Sequence, residues 1–368
     1  MSWDRELRAQ FPALERLVWL NTPTAPPGAA PVVAALERAL GEWSTGSFDW
    51  QAWEAEGEAT RASFARMIGG RAECVALVTS VAEAAATVAA SLPPGRVVTG
   101  AREFRSNLFP WLALERRGFD VVCVPAVDGV VSTDALIDAI DDRTLLVAVS
   151  EVQSSNGFRI HLDALADACR RHGARLFVNL TQALGALRFD VAASGADYVV
   201  AHGYKWLLCP RGTTWLHVRP ELVDEVAPLA PSWHSPENPY AEYYGGPLHD
   251  VARGARKLDA SPAWLSWVGA RAALDLLGAL DARVVERRCV ALAAAFRDGA
   301  RAAGHRVAPQ DAPSQTVAVR VGDPDALVGA LAQRRVVGAV RGGWVRLGFH
   351  AFNDDSDVDA ALAALGRA

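Results

Sequence analysis

Tyr198-Val199-Val200-Ala201-His202-Gly203-Tyr204-Lys205-Trp206-Leu207-Leu208-Cys209-Pro210-Arg211-Gly212 is an apolar run that breaks at a glycine and delivers a lysine. The 368 residues contain only two lysines, Lys205 and Lys257, against 35 arginines. Arginine can replace lysine in most surface roles. Its guanidinium stays protonated, however, and cannot act as a primary-amine nucleophile. A lysine at the end of a buried strand can be desolvated and form a Schiff base. The alternative for Lys205, as for Lys257, is an ordinary surface lysine.

Outward from this run, short apolar segments alternate with helical patterns. The strands predicted are Val75 to Thr79, Arg96 to Thr99, Val121 to Pro125, Leu145 to Ser150, Arg175 to Asn179, Tyr198 to Ala201 and Thr213 to Val218. Helical patterns fall at Ala82 to Leu92, Leu108 to Arg117 and Leu162 to His172. Continuous apolar strands with helices between them predict an α/β fold around a mostly parallel, seven-stranded sheet covered on both faces. Ligands of such sheets sit at the carboxyl ends of the strands. Ser80, Ser154, Asn179 and Lys205 all lie at or just beyond such ends.

Residues 230 to 245 form an aromatic, proline-broken loop that suits either a pocket wall or a surface crossing. A long helical region from Ala263 to about Ala303, broken near Gly278, leads into a strand (Thr316 to Val321), a helix (Pro324 to Gln333), strands near Val336 and Val345, and a last helix (Ser356 to Leu365). This describes a smaller α+β C-terminal domain against which the first 20 residues pack. The division expected is 21–250 for the large domain, and 1–20 with 251–368 for the small one.

A hydrophobic content of 51% with 21% charged residues describes a soluble protein with a sizeable core. The net charge of −5 leaves no basic footprint for nucleic acid. The most apolar helical stretch contains Arg271 and Asp275, so no membrane span is expected. The N-terminus lacks a signal-peptide core. The five cysteines are scattered, with no metal spacing, and suit a cytoplasmic protein.

Two segments can carry chemistry beside the lysine. Val75 to Ser80 places a strand, then Thr79-Ser80, then a helix start. Backbone N–H groups near Val81 and Ala82 suit an anion, with the Ser80 hydroxyl as a further donor. A plain helix N-cap at Ser80 is the alternative, and no P-loop signature follows. Arg175-Leu-Phe-Val-Asn-Leu-Thr-Gln puts Asn179 and Gln182 at another strand end, Asn179 lying 26 positions before Lys205.

In order and spacing these segments resemble the class V aminotransferase family of fold-type-I pyridoxal-phosphate (PLP) enzymes, which includes cysteine desulfurases and isopenicillin N epimerase-like proteins. The resemblance runs from Leu20-Asn21 to the last helix and is most specific at Gly203 to Leu207 with Pro210-Arg211-Gly212. It implies that pyridoxal 5′-phosphate forms a Schiff base with Lys205, which later moves the Cα proton of an amino-acid substrate. It further implies phosphate contacts at Ser80, Val81, Ala82 and His202, the last standing where a serine is usual. Phe104 would stack on the cofactor ring, where desulfurases have histidine. Ser154 and Gln182 would reach the phenolic oxygen, and Ser261 would supply a phosphate contact across the interface of a homodimer. Arg346 would pair bidentately with the substrate carboxylate, with Asn21 nearby.

Two departures shape the expected reaction. No cysteine lies beyond Cys289, whereas the resemblance puts a desulfurase nucleophile in the loop before Arg346. Asn179 stands where the family has an aspartate that keeps the pyridine nitrogen protonated. A neutral amide can hydrogen-bond that nitrogen without favouring its protonation. Misalignment, with Asp190 or Asp197 taking the role, is the alternative. A weaker electron sink favours epimerisation or β-elimination/replacement over transamination. A class V aminotransferase remains the first rival. The second is a non-catalytic protein, binding PLP or free of it, on the same fold.

Overall fold

The computed structural model describes residues 2–248, 251–341 and 343–366. Its centre is a seven-stranded sheet in the order Val75–Val78, Thr214–Val218, Tyr198–His202, Arg175–Asn179, Thr144–Ser150, Arg96–Gly100, Asp120–Val124. Thr214–Val218 runs antiparallel to both neighbours, and every other pairing is parallel. All seven strands fall within a residue or two of the positions expected from sequence.

The strands are readable because both faces are buried. Along Arg175–Asn179, Leu176 and Val178 enter one apolar cluster and Phe177 the other. Along Tyr198–His202, Val199 and Ala201 face one way and Tyr198 and Val200 the other. Period-two alternation between two cores gives an unbroken apolar run. One face is covered by the helix Val81–Ala90 and by Trp111, which meets Phe177 edge-on at 5.1 Å. The other is covered by Leu162–His172 and by Phe64 and Trp267, packed around Trp215.

The helix expected over Leu108 to Arg117 instead spans Arg105–Leu112 and tightens into a 3-10 turn, Ala113–Arg117. Pro110 inside it lacks the N–H that a continuing α-helix needs. Two further helices, Ala30–Thr45 and Trp50–Met67, have no counterpart in the sequence reading. The buried face of Trp50–Met67 carries Glu54, Thr60, Arg61 and Ser63, which break the apolar period. Arg61 pairs with Asp259 at 2.6 Å, and Asp259 accepts the Leu77 N–H at 2.8 Å. Charge pairing thus replaces apolar contact at that seam.

The C-terminal unit is an antiparallel sheet in the order Ala339–Arg341, Trp344–Gly348, Thr316–Arg320. Phe296 from Ala282–Ala302 and Val358 from Asp355–Leu365 share its core. Val18–Trp19 pairs in parallel with Val336–Val337, and Arg8 binds Asp357 at 2.8 Å, tying the N-terminus to this unit. Residues 249 and 250, at the expected domain boundary, lie outside the described residues. Ala255, Leu258 and the helix Trp264–Gly278 pack against the large sheet, whereas Ala282–Ala302 crosses to the smaller one. Among the described residues, no helix is long and apolar enough to cross a membrane.

Candidate cofactor and substrate site

The strand Tyr198–His202 ends in a closed turn that sets Lys205. Gly203 N–H donates to Thr213 O at 2.8 Å, and Cys209 N–H donates to Gly203 O at 3.0 Å. A Cβ at position 203 would come within 2.6 Å of Thr213 Oγ1 and 2.8 Å of Cys209 Cβ, so only glycine fits. Trp206, fully buried, donates its indole N–H to Gln182 Oε1 at 3.0 Å. Lys205 is 5% exposed, with Nζ 5.4 Å from the ring centres of both Phe104 and Tyr204.

Ser80, Val81, Phe104, Ser154, Asn179, Gln182 and His202 converge with Lys205 on one recess at the carboxyl ends of the parallel strands. A larger recess of about 800 Å³ shares Lys205, Phe104 and Ser154 with it and is lined by Arg346 as well. Ser106, Ser150, Thr181, Tyr204 and Arg211 also line the inner recess, and Thr24 the outer. Sequence reasoning gave none of these a role, though Arg211 and Tyr204 lie in the decisive stretch. A separate recess of about 510 Å³ between Met67, Arg188 and Leu280 holds none of the predicted residues.

Three predicted residues sit apart. Ala82 does not line the recess. Asn21 bridges Gly348 through its backbone, and its Oδ1 is buried without a hydrogen-bond partner among the described residues. Ser261 is exposed, its hydroxyl accepting the Trp233 indole N–H at 3.4 Å. Neither aspartate weighed against Asn179 is at the recess. Asp190 caps Val191–Ser194, and Asp197 accepts the Leu176 N–H at 2.7 Å and pairs with Arg219.

The hydrogen bonds assign donors and acceptors. Ser80 Oγ accepts the Glu83 N–H at 3.2 Å, so the cap and the anion-facing position coexist, with the hydroxyl proton left to donate. His202 Nε2 accepts the Gly212 N–H at 3.4 Å, which places the ring proton on Nδ1. Burial, with Arg211 and Lys205 nearby, lowers the His202 pKa to about 3, so the ring is neutral. Gln182 spends both amide protons, on Pro23 O and on Ser154 Oγ, each at 2.9 Å. Ser154 Oγ, already an acceptor, therefore keeps its own proton for an oxyanion. Arg346 is 4% exposed; Nη2 donates to Thr24 Oγ1 at 2.8 Å and Nη1 to the Ser154 carbonyl.

The class-V aminotransferase family model matches residues 37–360. The chain belongs to that family. An uncharacterized aminotransferase of Bacillus subtilis, YcbU, is 28% identical over 97% of this chain and 96% of its own length. Isopenicillin N epimerase of Streptomyces clavuligerus is 32% identical over 47% of this chain and 46% of its own. Among solved structures, apo cysteine desulfurase from Thermococcus onnurineus superposes with a TM-score of 0.85 at 19% identity, covering all of this chain and 98% of that one. The cystine C–S lyase C-DES superposes with the same score at 21% identity, over 97% and 99%.

This class-V family member uses pyridoxal 5′-phosphate, and the residues present fit it. The Lys205 amine is buried beside an exposed aromatic face, Phe104. The start of the ten-residue helix Val81–Ala90, Arg211 and the neutral His202 gather at one recess, a donor set for a phosphate. The Ser154 hydroxyl suits a phenolate.

Proposed function

We propose that the chain removes and returns the Cα proton of an amino acid. Its reaction would be epimerisation or β-elimination/replacement, rather than transamination or cysteine desulfuration. The observation that carries this reading is Asn179, 6% exposed, in the same recess as Lys205. The bound cofactor supplies the electron sink that acidifies the Cα–H bond. Lys205 Nζ holds it and carries the proton. Arg346 takes the substrate carboxylate, and Ser154 donates to the phenolic oxygen. Ser80, Val81 and His202 hold the phosphate, with Ser261 offered to the partner copy. An amide at position 179 lends the ring no negative charge, so the chemistry that asks least of the ring is favoured.

The cysteines support the exclusion of desulfuration. None lines either recess, and burial raises the Cys209 and Cys289 thiol pKa values. The name and near-complete coverage of YcbU favour transamination as the second reading. We read the working unit as a cytoplasmic homodimer. Five free cysteines support the compartment, and exposed Leu40, Trp43 and Tyr244 support the partner surface.

Solvent deuterium wash-in at Cα, measured against keto-acid release over a panel of amino acids, tests the reaction type. Wash-in should outrun keto-acid formation. Stoichiometric keto acid with little wash-in would overturn it.

A further inference from the structure

We propose that the outer recess selects amino acids whose side chain carries a second anionic group beyond an apolar spacer. The inference rests on the Cα-proton reading of the site and adds the substrate class.

The recess is large, although the cofactor ring beside Lys205 and Phe104 would take part of it. Its volume of about 800 Å³ lies in the upper part of the range of about 300–1,000 Å³ that holds whole drug-sized ligands. Its lining is also one-sided in charge. Arg102, Arg105, Lys205 and Arg346 line it against a single acid, Glu103. That acid is already committed: Oε1 accepts the Ser150 N–H at 2.7 Å, while Oε2 accepts the Ser150 hydroxyl at 2.6 Å and the Asn107 amide at 3.0 Å. Lys205 serves the cofactor and Arg346 the α-carboxylate. Arg102 and Arg105 remain, and no described acidic side chain forms a salt bridge with either.

Arg105 is also held in a pose that suits an anion. Its guanidinium lies 5.5 Å from the Phe109 ring centre. A stacked guanidinium keeps its N–H edge for bidentate pairing with a carboxylate. Phe104 and Phe109 are each 51% exposed and, with Leu108, give the recess an apolar wall. Ser155 Oγ, which also lines it, is buried without a hydrogen-bond partner among the described residues, so a polar ligand group would satisfy it. The fitting ligand is a dicarboxylic amino acid, or one ending in another oxyanion, with several methylenes between its charged ends.

The test is spectral titration of the holoenzyme with 2-aminoadipate, glutamate and their neutral isosteres norleucine and glutamine, with Cα deuterium exchange followed in parallel. The acidic members should bind at least about tenfold tighter, the gain of one charge-assisted pair. Added salt should weaken them selectively. Arg105→Gln and Arg102→Gln should together bring the ratio to within about threefold, while Arg116→Gln on the far turn leaves it unchanged. Equal or tighter binding of the neutral members, or a ratio indifferent to both variants, overturns the inference. If neutral amino acids bind and exchange their Cα proton, the Cα-proton reading survives and the acidic selectivity alone fails. If no amino acid perturbs the spectrum or exchanges, both fail.

Discussion

The Thr181 N–H donates to Asn179 Oδ1 at 3.0 Å, and that bond fixes the orientation of the amide. With Oδ1 taken, Nδ2 is turned to Ser150 Oγ at 3.3 Å, and the Ser150 hydroxyl in turn donates to Glu103 Oε2 at 2.6 Å. In the reading proposed above, position 179 would therefore offer an N–H to the ring nitrogen. Such a nitrogen must present a lone pair; a protonated one would set donor against donor. Holoenzyme loaded with PLP labelled with 15N in the ring should give the shift of an unprotonated pyridine. Asn179→Asp should move it toward the protonated value and raise keto-acid release. An aspartate there would also stand with Glu103 on either side of one serine proton, so the Glu103 pKa, already raised by burial, should climb further. An unchanged shift in the variant would mean that residue 179 does not contact the ring nitrogen.

Lys205→Ala and Lys205→Arg should both lose the absorbance of the covalently held cofactor. Borohydride reduction of the wild type should label Lys205 and leave Lys257 unlabelled. Turnover should fall about 10²–10⁴-fold, the span associated with losing a positioned proton carrier. Arginine should rescue nothing, since its charge is not what the site uses. Label on Lys257 instead would remove Lys205 from the chemistry.

Arg346→Lys keeps the charge but loses the planar fork that Thr24 and the Ser154 carbonyl orient. The expected result is a KM raised about 10–100-fold with a smaller change in kcat, as one bidentate charged pair is lost. Arg346→Gln should behave similarly or worse. A kcat loss at unchanged KM would place Arg346 outside carboxylate binding.

The strands were legible because each alternates between two apolar cores, and the lysine stood out because so few of its kind are present. Ser80, Asn179 and Lys205 could be aligned at one sheet edge from strand ends alone. What the sequence could not disclose was side-chain pairing across distance. Gln182 holds Ser154 as an acceptor, Thr24 braces Arg346, and Glu103 reaches Asn179 through Ser150; these partners are far apart in the chain. The helix Trp50–Met67 was hidden for the opposite reason, since Glu54, Thr60, Arg61 and Ser63 on its buried face interrupt the hydrophobic period that Trp53 and Phe64 would otherwise show. Gly185 is a similar case. Its φ of 104° and a Cβ position 2.2 Å from Trp206 O admit no side chain, yet nothing local marks it as the support behind the lysine turn.

His217, on Thr214–Val218, gives a pH test separate from the recess. Its side chain is buried, Nδ1 has no hydrogen-bond partner among the described residues, and burial lowers its pKa to about 4. The unfolded chain titrates this ring near about 6.5. Above that value neither state is protonated and the residue contributes no pH dependence. Between about 6.5 and 4 the unfolded state binds a proton that the native state refuses, so stability falls as pH falls. At pH 5 the deficit amounts to about 2 kcal/mol, at about 1.36 kcal/mol per pH unit. Urea midpoints at pH 7.5 and pH 5, taken for the wild type and for His217→Gln, isolate the effect, because the other titrating groups are common to both. The wild type should lose more stability than the variant over that interval. Parallel losses would mean that the ring is protonated, or reached by water, in the folded protein.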